Sequence, residues 1–269
     1  MATFTDWESY FYPETYDAGT GQGVLRNKFG ERDFFELRAL EYRATANRER
    51  EMHAGVAPID RTFGADHLRA IHRHLFQDVY EWAGQFRTVN MGKGGAVGFA
   101  SVRDGEVEQL LEGVQEFVQS YDWAQLDRRT VVNNAAVVFA YVNQAHGFRE
   151  GNGRTSKMFM EHVVEATPYT LDFSRVDADW WNEASEMSRP QPDRLWIDPT
   201  PLLPVFDRAA VDRRAAGESI EREPHRDLRA ASYPRAATES TRPTPGSSPA
   251  PDARPYGRGA EGPDLGGRS

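Results

Sequence analysis

The stretch from Thr130 to Ala145 constrains this chain more than any other. Val131, Val132, Ala135, Val138, Phe139 and Val142 leave almost no arc of a helix polar, and a helix apolar nearly all round is stable only when other elements enclose it. The stretch must therefore run through the middle of a helical domain. Its apolar heart, Ala135 to Val142, is less than half of what a bilayer span needs. Enclosing helices are at hand. Asp33 to Met52 repeats Phe34, Leu37, Leu40 and Ala44 at helical spacing, Ala65 to Phe76 repeats Leu68, Ile71 and Leu75, and Glu106 to Ser120 carries Val107, Leu110, Leu111, Val114 and Phe117 in one stripe. Further helices are expected at Arg154 to Ala166, at Asp177 to Met187 with Asp177 as N-cap, and after Pro201.

Composition narrows the function. With no cysteine among 269 residues, disulfide scaffolds, thiolate catalysis and cysteine-ligated metal centres are excluded together. Met1 to Tyr10 has neither the basic start nor the apolar core of a signal peptide, so a soluble cytoplasmic protein with no membrane partner is expected. A formal charge of -9 repels phosphate backbones, and direct nucleic-acid binding is not expected. From Pro224 onward the chain holds half of its 16 prolines and few large apolar residues. Such a segment cannot offset its ordering entropy, and a disordered tail is expected.

One segment departs from helical patterning. Phe86 to Asn90 favours extended structure, Gly92-Lys93-Gly94-Gly95 is turn chemistry, and Val97 to Ala100 returns as a second short strand. A lone hairpin has open edges, which are either a liability or a rail for another chain's extended segment. The Gly-Lys-Gly-Gly lacks the upstream glycine and following hydroxyl of a phosphate loop.

The chemistry concentrates directly after the buried helix, in His146-Gly147-Phe148-Arg149-Glu150-Gly151-Asn152-Gly153-Arg154-Thr155-Ser156-Lys157. Glycines at 147, 151 and 153 stop one helix and leave free N–H groups at the start of the next, an anion nest backed by a helix dipole. Arg154 and Lys157 add two cations on one face of an end that already repels cations, an arrangement that calls for a polyanion such as a di- or triphosphate. His146 titrates near neutrality and Glu150 offers a hard oxygen for Mg²⁺. A base, a metal carboxylate and fixed donors are the parts that phosphoryl or nucleotidyl transfer needs.

These residues resemble the signature of the Fic family, His-Pro-Phe-x-Asp/Glu-Gly-Asn-Gly-Arg-x-x-Arg. The similarity extends to Ile71 to Phe76, Val79 to Gly84 and Phe86 to Thr88, which resemble the approach to that family's flap, and to Tyr12-Pro13 and Val24 to Lys28, which resemble the start of antitoxin-paired bacterial members. The resemblance implies an all-α Fic core with a single β-hairpin flap, divided into an N-terminal helical extension (1–50), the Fic domain (51–205), a terminal helix (206–222) and the disordered tail (223–269). It implies a protein adenylyltransferase that moves AMP from ATP to a Tyr, Ser or Thr hydroxyl. In that reading His146 is the base and Glu150 holds Mg²⁺. Gly151, Asn152, Gly153, Arg154 and Lys157 bind the nucleotide, and the flap residues Val89, Asn90, Lys93 and Phe99 dock the target. Phe148 belongs in the core, fixing the loop.

Gly147 stands where the family has proline and Lys157 where it has a second arginine. The first loosens the loop, and the second keeps charge but loses a bidentate fork. The family's inhibitory helix, Ser/Thr-x-x-x-Glu followed by Gly or Asn, has two partial matches, Thr45 to Glu49 before Arg50 and Ser219 to Glu223 before Pro224. Neither carries the following residue, so a separate small antitoxin is the expected restraint. The toxin-antitoxin resemblance makes the ATPase subunit of a type II topoisomerase the first target to examine. Two alternatives remain open: a Doc-like phosphotransferase, and a catalytically weak nucleotide-binding module. His67, His72 and His74 read as packing or polar residues, and Trp180 and Trp181 as core.

Overall fold

In the computed structural model, which describes residues 4–92, 97–216 and 238–239, the central element is α4 (Arg128–Ala145). Asp127 caps it by accepting from the Thr130 N–H, and every residue from Asn134 to Ala145 is buried. α3 (Glu106–Gln119), α5 (Asn152–Val163) and α7 (Leu203–Ala209) pack around it. α2 (Ala65–Phe76) lies against both α5 and α1 (Phe34–His53). Near α7, α6 (Ala178–Met187) inserts Trp181, whose ring meets Phe139 of α4 at 4.7 Å. The expected all-helical core is what forms, and no described helix is long and apolar enough to cross a membrane.

Three expectations need correction. Of the N-terminal extension, only α1 is a regular helix. Residues 4–30 form two short 3-10 turns, Glu8–Tyr10 and Pro13–Thr15, and two isolated antiparallel bridges, Phe11 with Leu25 and Asp17 with Gln22. Trp7, Tyr10 and Phe11 are buried there, so side-chain insertion rather than helix formation orders this stretch. Second, the terminal helix placed at 206–222, of which 217–222 lie outside the described residues, is broken after Ala209. A strand, β3 (Ala210–Asp212), follows and pairs antiparallel with β2 (Tyr169–Leu171) before the short α8 (Arg213–Ala216). Leu171 and Ala210 are buried opposite one another, so tertiary pairing overrides the helical preference of the Arg/Ala run. Third, α1 buries a face other than its most apolar one. Leu37, Glu41, Thr45, Glu49 and Met52 point inward, while Phe34 and Phe35 are exposed.

The flap also departs from its expected bounds: Phe86 to Asn90 and Val97 to Ala100 form no strand, β1 falls at Met91–Gly92 where a turn was expected, and the return limb is joined to it by the Phe99 N–H donating to the Met91 carbonyl at 3.0 Å. Lys93 lies outside the described residues. So does the disordered tail placed at 223–269, except for β4 (Thr238–Glu239), which pairs antiparallel with β1. The flap is thus not the only sheet, and a piece of the tail is ordered as strand.

Candidate active site

α4 ends at His146 in the left-handed region, φ 40° and ψ 51°, where its amide donates to the Val142 carbonyl at 3.2 Å. A residue with a side chain holds that conformation only when its surroundings enforce it. The enforcing group is Arg87, 2% exposed. Its Nε donates to the His146 carbonyl at 2.9 Å, its Nη1 to the Val89 carbonyl at 2.7 Å and its Nη2 to the carbonyls of Ala100 and Ala145. The Arg87 backbone N–H also donates to the Gly147 carbonyl at 2.8 Å. One guanidinium therefore ties both limbs of the flap to the loop. Burial brings Arg87 down to about 10, with Tyr10 and Glu108 only partly opposing it, which still leaves it charged at neutrality.

The loop is held from within as well. Phe148 is buried and stacks on His72 at 3.8 Å. His72 accepts from the Gly84 N–H at Nδ1 (2.8 Å), so its Nε2 carries the proton and donates to the Glu150 carbonyl at 3.1 Å. Complete burial brings His72 down to about 3, so the ring stays neutral in this role. Gly147 is required by space: a Cβ there would stand 2.8 Å from the Phe86 ring. Gly151 is required twice over, by φ +83° and by the Phe76 ring 2.3 Å from where its Cβ would be.

The residues expected at the site divide into two groups. His146, Glu150, Gly151 and Gly153 sit on or beside the loop that opens α5. The His146 ring stacks on Phe99 with centroids 3.7 Å apart and planes 9° from parallel, and the Arg189 guanidinium covers the other side of Phe99 at 3.7 Å. The Glu150 side chain is 40% exposed, with one carboxylate oxygen on the Gly151 N–H. The remaining residues carry bonds that the sequence did not reveal. Asn152 closes the loop on itself: its Oδ1 accepts from the Phe148 N–H at 2.9 Å and its Nδ2 donates to the Phe148 carbonyl at 2.7 Å. Arg154 is paired with Glu41 of α1, donates to Thr45 Oγ1 at 3.1 Å and lies over the Phe76 ring. Burial opposes its charge, yet Glu41 and Glu150 outweigh burial and hold Arg154 above its ordinary value. Lys157 directs its ammonium toward Trp181 (4.9 Å) and Phe173 (5.3 Å).

Three of the four flap residues also point inward. Val89 is buried, Asn90 braces the flap base by bonding Ser101 Oγ and the Val102 N–H, and Phe99 packs on His146. Thr45 and Glu49, the first partial match to the inhibitory spacing, both face inward from α1. Both residues line one small cleft between α1, α2 and α5 with Arg154, Lys157 and Glu161. Arg149, which the sequence reading passed over, is buried with its guanidinium 4.0 Å from the Trp7 ring and 4.9 Å from that of Phe11, which pins the N-terminal segment to the loop.

A helical domain whose enclosed helix presents a histidine to a glycine-framed helix N-terminus is the architecture of a nucleotide-dependent transferase. Residues 62–164 match the Fic/DOC family. A probable protein adenylyltransferase Fic of Escherichia coli K12 is 30% identical over 214 residues, covering 79% of this chain and 95% of that relative. The protein adenylyltransferase VbhT of Bartonella schoenbuchensis is 31% identical over 66% of this chain and 35% of its own length. Among solved structures, the N-terminal Fic domain of a Bartonella quintana effector with bound ADP superposes with a TM-score of 0.65 at 28% identity, covering 77% of this chain and 96% of that one. BepC of Bartonella tribocorum with bound AMPPNP gives 0.63 at 25%. The chain belongs to the Fic/DOC family, and it is an enzyme of the protein adenylyltransferase class.

Proposed function

We propose that this enzyme binds ATP at the loop opening α5 and transfers AMP to a Tyr, Ser or Thr hydroxyl of a target protein. His146 takes the hydroxyl proton while the hydroxyl oxygen bonds to the α-phosphorus. The bond from that phosphorus to the bridging oxygen breaks, and pyrophosphate leaves with its electron pair. The observation that carries the reading is the strained, Arg87-clamped His146 directly beside the uncapped N-terminal turn of α5, which sets a base next to an anion site. The half-exposed Glu150 carboxylate suits Mg²⁺, which keeps one or two protein carboxylates and takes its other ligands from phosphates and water, and it would supply charge neutralisation there. Backbone amides at 151–153 and the Lys157 ammonium are the phosphate partners in this reading. Arg154 supports them from its ion pair with Glu41, and direct contact of its guanidinium with the nucleotide requires that pair to open.

Targets pair with β1 through main-chain bonds, because the described flap side chains Val89, Asn90 and Phe99 face inward. The resemblance to antitoxin-paired members supports restraint by a separate antitoxin and makes a type II topoisomerase ATPase subunit the first target to examine. A specific observation favours a second form of restraint: α1 already brings Glu49 into the cleft with Arg154 and Lys157. Incubation with Mg²⁺ and either α-³²P- or γ-³²P-ATP tests the reaction. Protein label from the α position alone is expected. Label from the γ position alone would make the enzyme a phosphotransferase, and no label with either would leave a nucleotide-binding module.

A further inference from the structure

The rail on which the proposed reading docks a target is taken up by the chain's own tail. Met91 gives its carbonyl to Phe99, and the alternation of main-chain groups along a strand then turns those of Gly92 toward β4. There β4 runs antiparallel, with Met91 opposite Glu239 and Gly92 opposite Thr238. A glycine inside a strand permits close approach of a second backbone. The sequence around Thr238–Glu239 suits strand addition: Arg235 to Arg242 contains no proline, so each residue has an N–H to offer, and it carries hydroxyls at Thr238, Ser240 and Thr241. Hydroxyl residues are also the acceptor class of the proposed reaction. Residues 217–237 tether this segment to α8. A tether of that length sets a local concentration on the order of millimolar, above that of most cellular targets, so even a two-residue ladder competes effectively.

We propose that Thr238–Glu239 is a built-in occupant of the flap edge that competes with a target's extended segment for β1. The inference rests on the reading of β1 as the docking rail. Occupancy is also positioned to matter for the base, since Val89, two residues before Met91, shares the Arg87 guanidinium with His146.

The test uses the full-length chain carrying Thr238→Pro and Glu239→Pro together, with thermal unfolding to show that the helical core is unchanged. Amide exchange at Gly92 is expected to quicken at least tenfold. A fluorescein-labelled peptide of residues 232–244 is expected to bind the double variant at least tenfold more tightly than the parent. Label from α-³²P-ATP into the proteins of a bacterial lysate should rise several-fold. Unchanged exchange with equal peptide affinity would overturn the occupancy, and faster exchange with unchanged labelling would overturn the competition. If neither protein transfers label, the transferase reading fails by itself, and the exchange and peptide measurements still decide whether the tail holds the edge.

Discussion

At the scale of single residues, the site depends on two adjacent positions with opposite demands on their side chains. His146 keeps a ring in a backbone region where side chains cost on the order of 1–2 kcal/mol, and the carbonyl bonds of Arg87 hold it there. His146→Ala should abolish AMP transfer while ATP affinity, measured by calorimetry, stays within a few-fold. Loss of ATP binding would show that base and phosphate cradle are not separate. Gly147 has no unusual φ and is glycine because Phe86 fills the space of a Cβ. Gly147→Ala should therefore destabilise the protein by about 1–2 kcal/mol through overpacking, and adding Phe86→Leu should recover most of that loss in urea denaturation. If the double variant were no more stable than the single, contact with Phe86 would not be the cause. That His146 and Glu150 share one loop was legible because the pattern that sets it is local. The bonds of Asn152 and Arg154 were not, since nothing in the motif says that an amide will fold back on Phe148 or that a carboxylate on α1, more than a hundred residues earlier, will claim the guanidinium.

At the scale of elements, the flap and the loop behave as one unit because a single buried cation binds carbonyls from both. Lysine in place of Arg87 would keep the charge but could not address those diverging carbonyls from one planar fork. Arg87→Lys should lower kcat at least tenfold and leave the Kd for ATP within threefold. Equal losses in both would mean that Arg87 merely supports the fold. The element that sequence patterning described least well is α1. Its inward face carries Glu41, Thr45 and Glu49, and a polar stripe reads as solvent-facing until its partners are known. Those partners are Arg154, Tyr80 and the cleft beside Lys157. Losing one member of a buried pair of this kind typically costs about 3–5 kcal/mol, so α1 is fastened to α5 by charge where hydrophobic periodicity suggested apolar packing.

At the scale of the whole molecule, three buried histidines link stability to pH. His72 and His67 are brought down to about 3 and His162 to about 4, in each case chiefly by burial. His67 Nδ1 accepts from the Phe63 N–H, so its Nε2 donates to His162 Nδ1 at 2.8 Å, and a second proton has no place in that bond. Unfolded histidines protonate near 6.5, so the unfolded chain binds protons first on acidification. Stability is complete above about pH 6.5 and falls as pH drops toward 4, with His72 alone contributing up to about 1.4 kcal/mol per pH unit. Urea midpoints should decline steadily from pH 7 to pH 4.5, and His72→Gln should flatten that slope by about one proton. A midpoint indifferent to pH over this range would show that these rings are not buried as neutral groups.

The sequence by itself determined the enclosed helix, most of the helices around it and the histidine-to-lysine loop. Each of these is written in short-range periodicity, in glycine placement or in charges a few residues apart. Tertiary structure alone decided that the chain from Ala210 becomes strand, that Arg154 answers to Glu41, that Arg87 fastens loop to flap, and that Thr238–Glu239 lies along β1. The physical reason is common to all four. A buried donor or an open strand edge must find a partner, and which partner it finds depends on what the packed helices bring near, which no local pattern encodes.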